Sequence, residues 1–287
     1  GALFIGGAAH ISATQFISNS SQIHGGGIQT AARLTVEDSF FQHNYAGFNG
    51  GGLYVEDGEL NLTNTRFVEN TANVESLAFG FGGGAYAKES NIVADRTTFV
   101  GNVGQRGSAV AVEAFADGYT ARFVNSLIVG AASNTESSLF YAYRYGLVDI
   151  LHATFVGPMS TAGVAIHFER SDGSVRNTIA STFATAIKQQ EGDVAEDFNL
   201  YHNVGSRVDG VVTGGAHSLT GDPLFIAPGA GDYHLGKGSA AIDAGTDMGV
   251  THDLDRVARP QGANVDIGAY EAMVTSEYRT YLPLTQK

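Results

Sequence analysis

The stretch GGGLYVEDGELNLTNTRFVEN, residues 50–70, decides the fold. It opens on glycines, alternates apolar with polar residues, and closes on F-x-x-N. Nearly the same phrase stands at residues 25–44, GGGIQTAARLTVEDSFFQHN, and at residues 82–102, GGGAYAKESNIVADRTTFVGN. Period-two alternation marks a strand with one face inward. A short unit that repeats this pattern buries its apolar face by stacking on its neighbours. The phenylalanine of the phrase falls at Phe16, Phe41, Phe67 and Phe99, and Ile128, Phe155 and Ala180 then take its place, at intervals of 25 to 32 residues. Asn19, Asn44, Asn70 and Asn102 follow the first four at a constant offset. Units of this length, with short strands and no helical period, predict an all-β chain: a right-handed parallel β-helix of about eight or more rungs, closed by a C-terminal capping segment. The L-x-x-L-x-L consensus of leucine-rich repeats is missing.

Successive rungs of such a solenoid lie ~4.8 Å apart, so equivalent residues sit above one another. Phe16, Phe41, Phe67 and Phe99 are therefore expected to form an interior aromatic ladder. Asn19, Asn44, Asn70 and Asn102 are expected to form an amide ladder that holds turns. The longest interval contains ANVESLAFGF, residues 72–81, read as a loop bulging from one corner.

Composition narrows the function classes. The 38 glycines among 287 residues serve tight turns, and their lack of an every-third-residue period excludes collagen. Cysteine is absent, which removes disulfides, thiolate metal sites and cysteine nucleophiles together. A net charge of -13 repels nucleic acid and anionic membranes, and favours neutral partners or partners bridged by Ca²⁺. No apolar run is long enough for a transmembrane helix. The opening GALFIGGAAHISATQF has no initiator Met or signal peptide and starts inside a patterned segment, which reads as a processed product.

The three glycine-led phrases resemble the GG-apolar and F-x-x-N repeats of polymorphic outer-membrane-protein-like surface proteins, which are right-handed parallel β-helices. Further on, GDPLFIAPGAGDYHLGKGSAAIDAGTD, residues 221–247, and HDLDRVARPQGANVDIGAYE, residues 252–271, are similar to the choice-of-anchor Q domain of secreted bacterial β-helix proteins. Together the resemblances cover about residues 1–271 and imply a bacterial, exported protein at the cell surface or outside the cell, without implying one activity. The expected organisation is rungs over 1–205, final rungs and a choice-of-anchor Q-like cap over 206–271, and a tail over 272–287. That tail, with Tyr281, Leu282 and Leu284, reads as a sorting remnant or a packed strand. Family members often carry D-x-D-G, whereas Asp253-Leu254-Asp255 is followed here by Arg256. Asp253 and Asp255 remain a candidate Ca²⁺ site on this reading, and no other cofactor is expected; the acids of the segment are otherwise assigned to capping turns and to Arg259.

Between residues 107 and 170 the glycine triplets disappear, and a break in a repeat is where a site is sought. The rung starts become GSAVAVEAF, SSLFYAYRYG and AGVAIHFERSDG. Aligning Ala109, Leu139 and Gly163 puts Glu113, Tyr143 and His167 in one column as candidate catalytic groups. Tyr143, Arg144, Tyr145, Glu169 and Arg170 are the candidate substrate-binding groups beside it. The same residues also fit half-buried strand positions with a packed ring and a wet tip. No nucleophile elbow, P-loop, dinucleotide fingerprint or H-E-x-x-H motif is present. The sequence therefore favours an extracellular or cell-surface scaffold with a structural, adhesive or glycan-contacting role, its partners being glycans or surface matrix. Two alternatives stand beside it. One is a polysaccharide lyase or glycoside hydrolase using the middle rungs; the other is a subunit of a head-to-tail filament joined end to end through an open rung edge.

Overall fold

The computed structural model describes residues 1–73, 80–116, 118–132, 138–158 and 163–273. Residues 74–79 of the 72–81 insertion lie outside the described residues, as do Tyr281, Leu282 and Leu284 of the tail. Among the described residues there is no α-helix. Each circuit of the chain lays one strand in each of three walls, and every pairing within the walls is parallel. The first wall stacks Leu3–Ile5, Ile28–Thr30, Leu53–Glu56, Ala85–Lys88, Val110–Glu113, Ser138–Tyr143, Val164–Glu169 and the later part of Ile179–Gln190. The second is a nine-stranded sheet from Ala9–Ser12 to Val212–Gly214. The third begins with Gln15–Ile17 and ends with the early parts of Ile179–Gln190 and Leu200–Asp209 and with Leu219–Thr220, the later part of Leu200–Asp209 adding a last strand to the first wall. The protein is thus a parallel β-solenoid of about eight turns.

Register follows the alternation in the sequence. In the second wall Leu34, Leu60, Ile92, Ala121 and Val148 stand in one inward column, because a one-residue slip would turn every apolar side chain to solvent. In the third wall the rings of Phe16, Phe41, Phe67 and Phe99 stack at centroid separations of 4.7, 4.6 and 4.9 Å. Ile128, Phe155 and Ala180 continue the column. Beside it Asn44 Nδ2 donates to Asn70 Oδ1 at 2.8 Å and Asn70 Nδ2 to Asn102 Oδ1 at 3.0 Å. Asn19 Nδ2 likewise donates to Asn44 Oδ1 at 2.9 Å.

The ladder and the glycine triplets are parts of one packing solution. A Cβ on Gly27, Gly52 or Gly84 would stand 3.0, 3.0 or 2.8 Å from Cδ1 of Phe41, Phe67 or Phe99. The third glycine of each triplet is the floor under the ring. On the circuit where the ladder residue becomes Ile128 the floor position becomes Ala109, on the next Leu139 takes that position in the circuit of Phe155, and Phe123 and Phe140 from the other walls meet edge to face at 5.1 Å to fill the interior. Loss of the triplets between 107 and 170 is therefore a change of core filling.

Residues 222–272 form a strap that closes over the flank of the solenoid. It holds the antiparallel pair Phe225–Ala227 and Asp232–Leu235 and covers outward residues of the third wall. Leu127 packs with Tyr233, Leu254 and Tyr270, and Ile179 and Leu200 pack with Leu235, Ala241 and Ile267. The interior core is a separate cluster containing no strap residue. Turn residues supply the polar links: Asn125 Nδ2 donates to His252 O at 2.9 Å, and Asn177 Nδ2 to Thr246 O at 2.7 Å. These asparagines sit at φ 48°, one of the left-handed turn positions that recur rung after rung and that Asn tolerates well.

Candidate functional site

The outer face of the first wall carries two neighbouring columns. One contains Gln29, Tyr54, Tyr86, Ala111, Tyr141, His167 and Lys188; the other contains Glu56, Lys88, Glu113, Tyr143, Glu169 and Gln190. Their rings form a floor, for Tyr54, Tyr86 and Tyr141 are buried although they point away from the core. His24 stacks on Tyr54 at 4.4 Å, and Phe81 packs on Tyr86 and Tyr141. Arg106 lies over Phe81 and Tyr141 and donates to the Tyr141 hydroxyl at 3.2 Å.

Each phenol of the floor donates to a carboxylate of the second column. Tyr54 bonds Glu56 at 2.7 Å, Tyr141 bonds Glu169 at 2.7 Å, and Tyr86 bonds Glu113. Burial, then these carboxylates, hold the phenols far above their ordinary pKa, so they stay protonated donors. Burial pushes Glu56 upward, but hydrogen bonds from Lys88 and Tyr54 outweigh it and keep the carboxylate below its usual range. Lys88 Nζ lies 2.5 Å from Glu56 Oε1, and that bond raises the ammonium. His167 is depressed by burial, leaving a neutral ring whose Nε2 donates to Gln190 Oε1 at 3.0 Å. The groups are largely spent on one another, an arrangement suited to presenting fixed acceptors rather than to moving protons.

The structure places the sequence-derived residues unevenly. Glu113 and Tyr143 are register partners, as aligned. Tyr143, however, pairs with Glu169, while His167 pairs with Tyr141. The alignment through Gly163 is therefore two residues out. An even slip preserves the face, so His167 joins the neighbouring column of the same wall. Tyr145 is no binding residue: it is 1% exposed, its ring packed in the interior core and its hydroxyl bonded to Ser90 O. Arg170 is exposed and paired with Glu191 at 3.1 Å. Tyr54, Glu56, Tyr86 and Lys88 were missed, although they stand at constant offsets from the triplets that begin at Gly50 and Gly82.

Asp253 and Asp255 are engaged by donors of the protein itself. Asp253 is fully buried, its Oδ1 accepting from the backbone of Asp255 and Val257 and its Oδ2 from that of Glu271. Asp255 is drawn to His234 Nε2 at 2.7 Å. Among the described residues no group of His, Asp and Glu side chains is placed to hold a metal ion. A second cluster that sequence reasoning missed joins Ser181 Oγ to His202 Nδ1 at 3.0 Å, with His202 Nε2 3.8 Å from Asp222. Ser181 is 3% exposed, so the trio ties the start of the strap to the last rungs and leaves no room for a substrate at the hydroxyl.

Beneath the strap, two buried groups titrate against each other. Burial raises Asp266 from 3.8 to about 6, and its stabilising contribution, full below 3.8, is lost as pH rises through about 6. Burial and then the charge of Arg259 lower His152 from 6.5 to about 3, and its contribution, full above 6.5, is lost as pH falls through about 3. Between pH about 4 and 6 the two slopes oppose, each about 1.4 kcal/mol per pH unit. Asp266→Asn is expected to unmask His152, so that in urea titrations the variant's own stability falls steadily from pH about 6 to about 4, where these two groups leave that of wild type nearly level, and the difference between the two widens. An unchanged difference across that range would refute the compensation.

No protein-family model, curated protein or solved structure matches the chain.

Proposed function

We propose that this protein is an extracellular or cell-surface β-helix scaffold whose first wall contacts glycans. The observation that carries the reading is the repeated phenol–carboxylate pairing of Tyr54 with Glu56, Tyr86 with Glu113, and Tyr141 with Glu169. It sets acceptor oxygens along a stiff wall, rung after rung, beside Tyr143 and the exposed ring of Phe115. Hydroxyl-rich chains offer donors for such acceptors and apolar ring faces for aromatic edges. The resemblance of the repeats and of residues 221–271 to exported bacterial families supports the location.

Screening the purified protein on immobilised polysaccharides tests this. Binding to at least one glycan is expected, weakened about tenfold in the Glu113→Gln, Tyr143→Ala double variant, the loss of one hydrogen bond and one ring contact. Binding that ignores the double variant would remove the first wall from the interaction. Release of new reducing ends or of an unsaturated product would replace the scaffold reading with the enzymatic one.

A further inference from the structure

Arg144, like Arg106 deeper in the wall, is bedded on rings and not on a carboxylate. Lys88 is held by Glu56 at 2.5 Å and Arg170 by Glu191 at 3.1 Å, whereas Arg144 has no carboxylate partner among the described residues. Its guanidinium rests instead against two rings, 5.5 Å from the centroid of Phe115 and 5.3 Å from that of Tyr143. Those rings meet edge to face at 6.3 Å, and Phe115 is 56% exposed. A guanidinium held by aromatic faces is oriented before any ligand arrives, and its N–H fork matches a planar oxyanion.

The next rung adds a second cation. Tyr143 pairs with Glu169, and Arg144 N donates to Glu169 O, which sets Arg144 directly over Arg170, both in left-handed turns at φ 51° and 54°. Equivalent positions on successive rungs are ~4.8 Å apart, and like charges so placed repel unless an anion lies between them. Glu191 serves Arg170 alone. Two guanidiniums thus stand together at one edge of the wall, on a chain whose net charge is -13.

We propose that Arg144 and Arg170, bedded on Phe115 and Tyr143, form a recognition step for a saccharide unit bearing a carboxylate or a sulfate. The inference rests on the glycan-contacting reading above and names the class of glycan. It runs against the bulk composition, since the local pair, and not the average charge, meets the ligand at contact distance.

Calorimetric titration in EDTA, which removes cation bridging, tests it with hexagalacturonate, its methyl ester, a sulfated galactose hexamer and neutral cellohexaose. At least one acidic oligomer is expected to bind about tenfold more tightly than the neutral ones, the gain of a charge-assisted pair, with an advantage that shrinks as salt rises. Whether hexagalacturonate or the sulfated hexamer shows that advantage identifies the anion. Arg144→Gln should abolish the preference and Arg144→Lys restore only part of it, because an ammonium lacks the fork. Arg122→Gln, the same charge change beside Asp149 on the second wall, should leave it intact. If neutral and acidic oligomers bind alike, or Arg144→Gln keeps the preference, the inference fails and the glycan reading survives. If wild type binds none of the four and no polysaccharide in the screen, both fall.

Discussion

Asn70→Asp is expected to destabilise the solenoid by about 3–5 kcal/mol, and Asn70→Ala by about 2–3 kcal/mol. Asn70 is fully buried and uses every polar atom of its side chain. Its Oδ1 accepts from Asn44 N at 3.0 Å and Asn44 Nδ2 at 2.8 Å, while its Nδ2 donates to Phe41 O at 2.9 Å and Asn102 Oδ1 at 3.0 Å. Alanine orphans the Asn44 backbone N–H inside the protein. Aspartate is worse, because it places a buried carboxylate against two acceptors, Phe41 O and Asn102 Oδ1, with no donor to offer them. Asn19→Ala, at the half-buried end of the ladder, should cost under about 1 kcal/mol, since water can replace what is lost. Equilibrium urea denaturation of the three variants measures the order. Equal costs for Asn19→Ala and Asn70→Ala would show that the ladder does not act through buried, mutually dependent bonds.

The ladders were legible in the sequence because stacking makes each rung the mould of the next. Phe41 needs a ring above and below it, and Asn44 needs an amide, so the same letters recur at the same offsets. The first-wall site was only half legible. Tyr54 and Tyr86, Glu56 and Lys88 follow the triplets at fixed offsets, yet the regular repeat hides them, since a break such as residues 107–170 stands out where a constant column does not. In the core, the loss of the triplets there goes with Gly84 giving way to Ala109 as Phe99 gives way to Ile128, and then to Leu139 in the circuit of Phe155. Tyr145 illustrates a further limit: from the sequence alone its position past the strand end does not say whether the ring turns out with Arg144 or in toward Ser90. Nor does any period encode the strap, whose contacts join residues as distant as Asn125 and His252. The family-like acids around Arg259 gave their membership in the cluster but not their placement on the flank.

Arg259→Met should unfasten the strap and leave the rungs folded. The guanidinium and the Glu271 carboxylate are both wholly buried, 2.7 Å apart. Arg259 Nη1 also donates to Asp266 O at 3.3 Å and Nη2 to Gly268 O at 2.8 Å. Removing this one cation leaves the buried carboxylates of Asp253, Asp266 and Glu271 without a counter-charge, and breaking a buried pair from one side costs about 3–5 kcal/mol. Methionine fills much of the volume, so the loss is electrostatic rather than a cavity. Because the interior core contains no residue of the strap, the damage is expected to stay local, as the opening of a separate cooperative unit. Hydrogen exchange should therefore show faster exchange across residues 243–272 and unchanged protection in Leu53–Glu56, Glu59–Thr63 and Arg66–Val68. The double variant Arg259→Met, Glu271→Gln should recover part of the protection by removing the stranded charge. A uniform loss of protection along the whole chain would show that strap and solenoid fold as one unit.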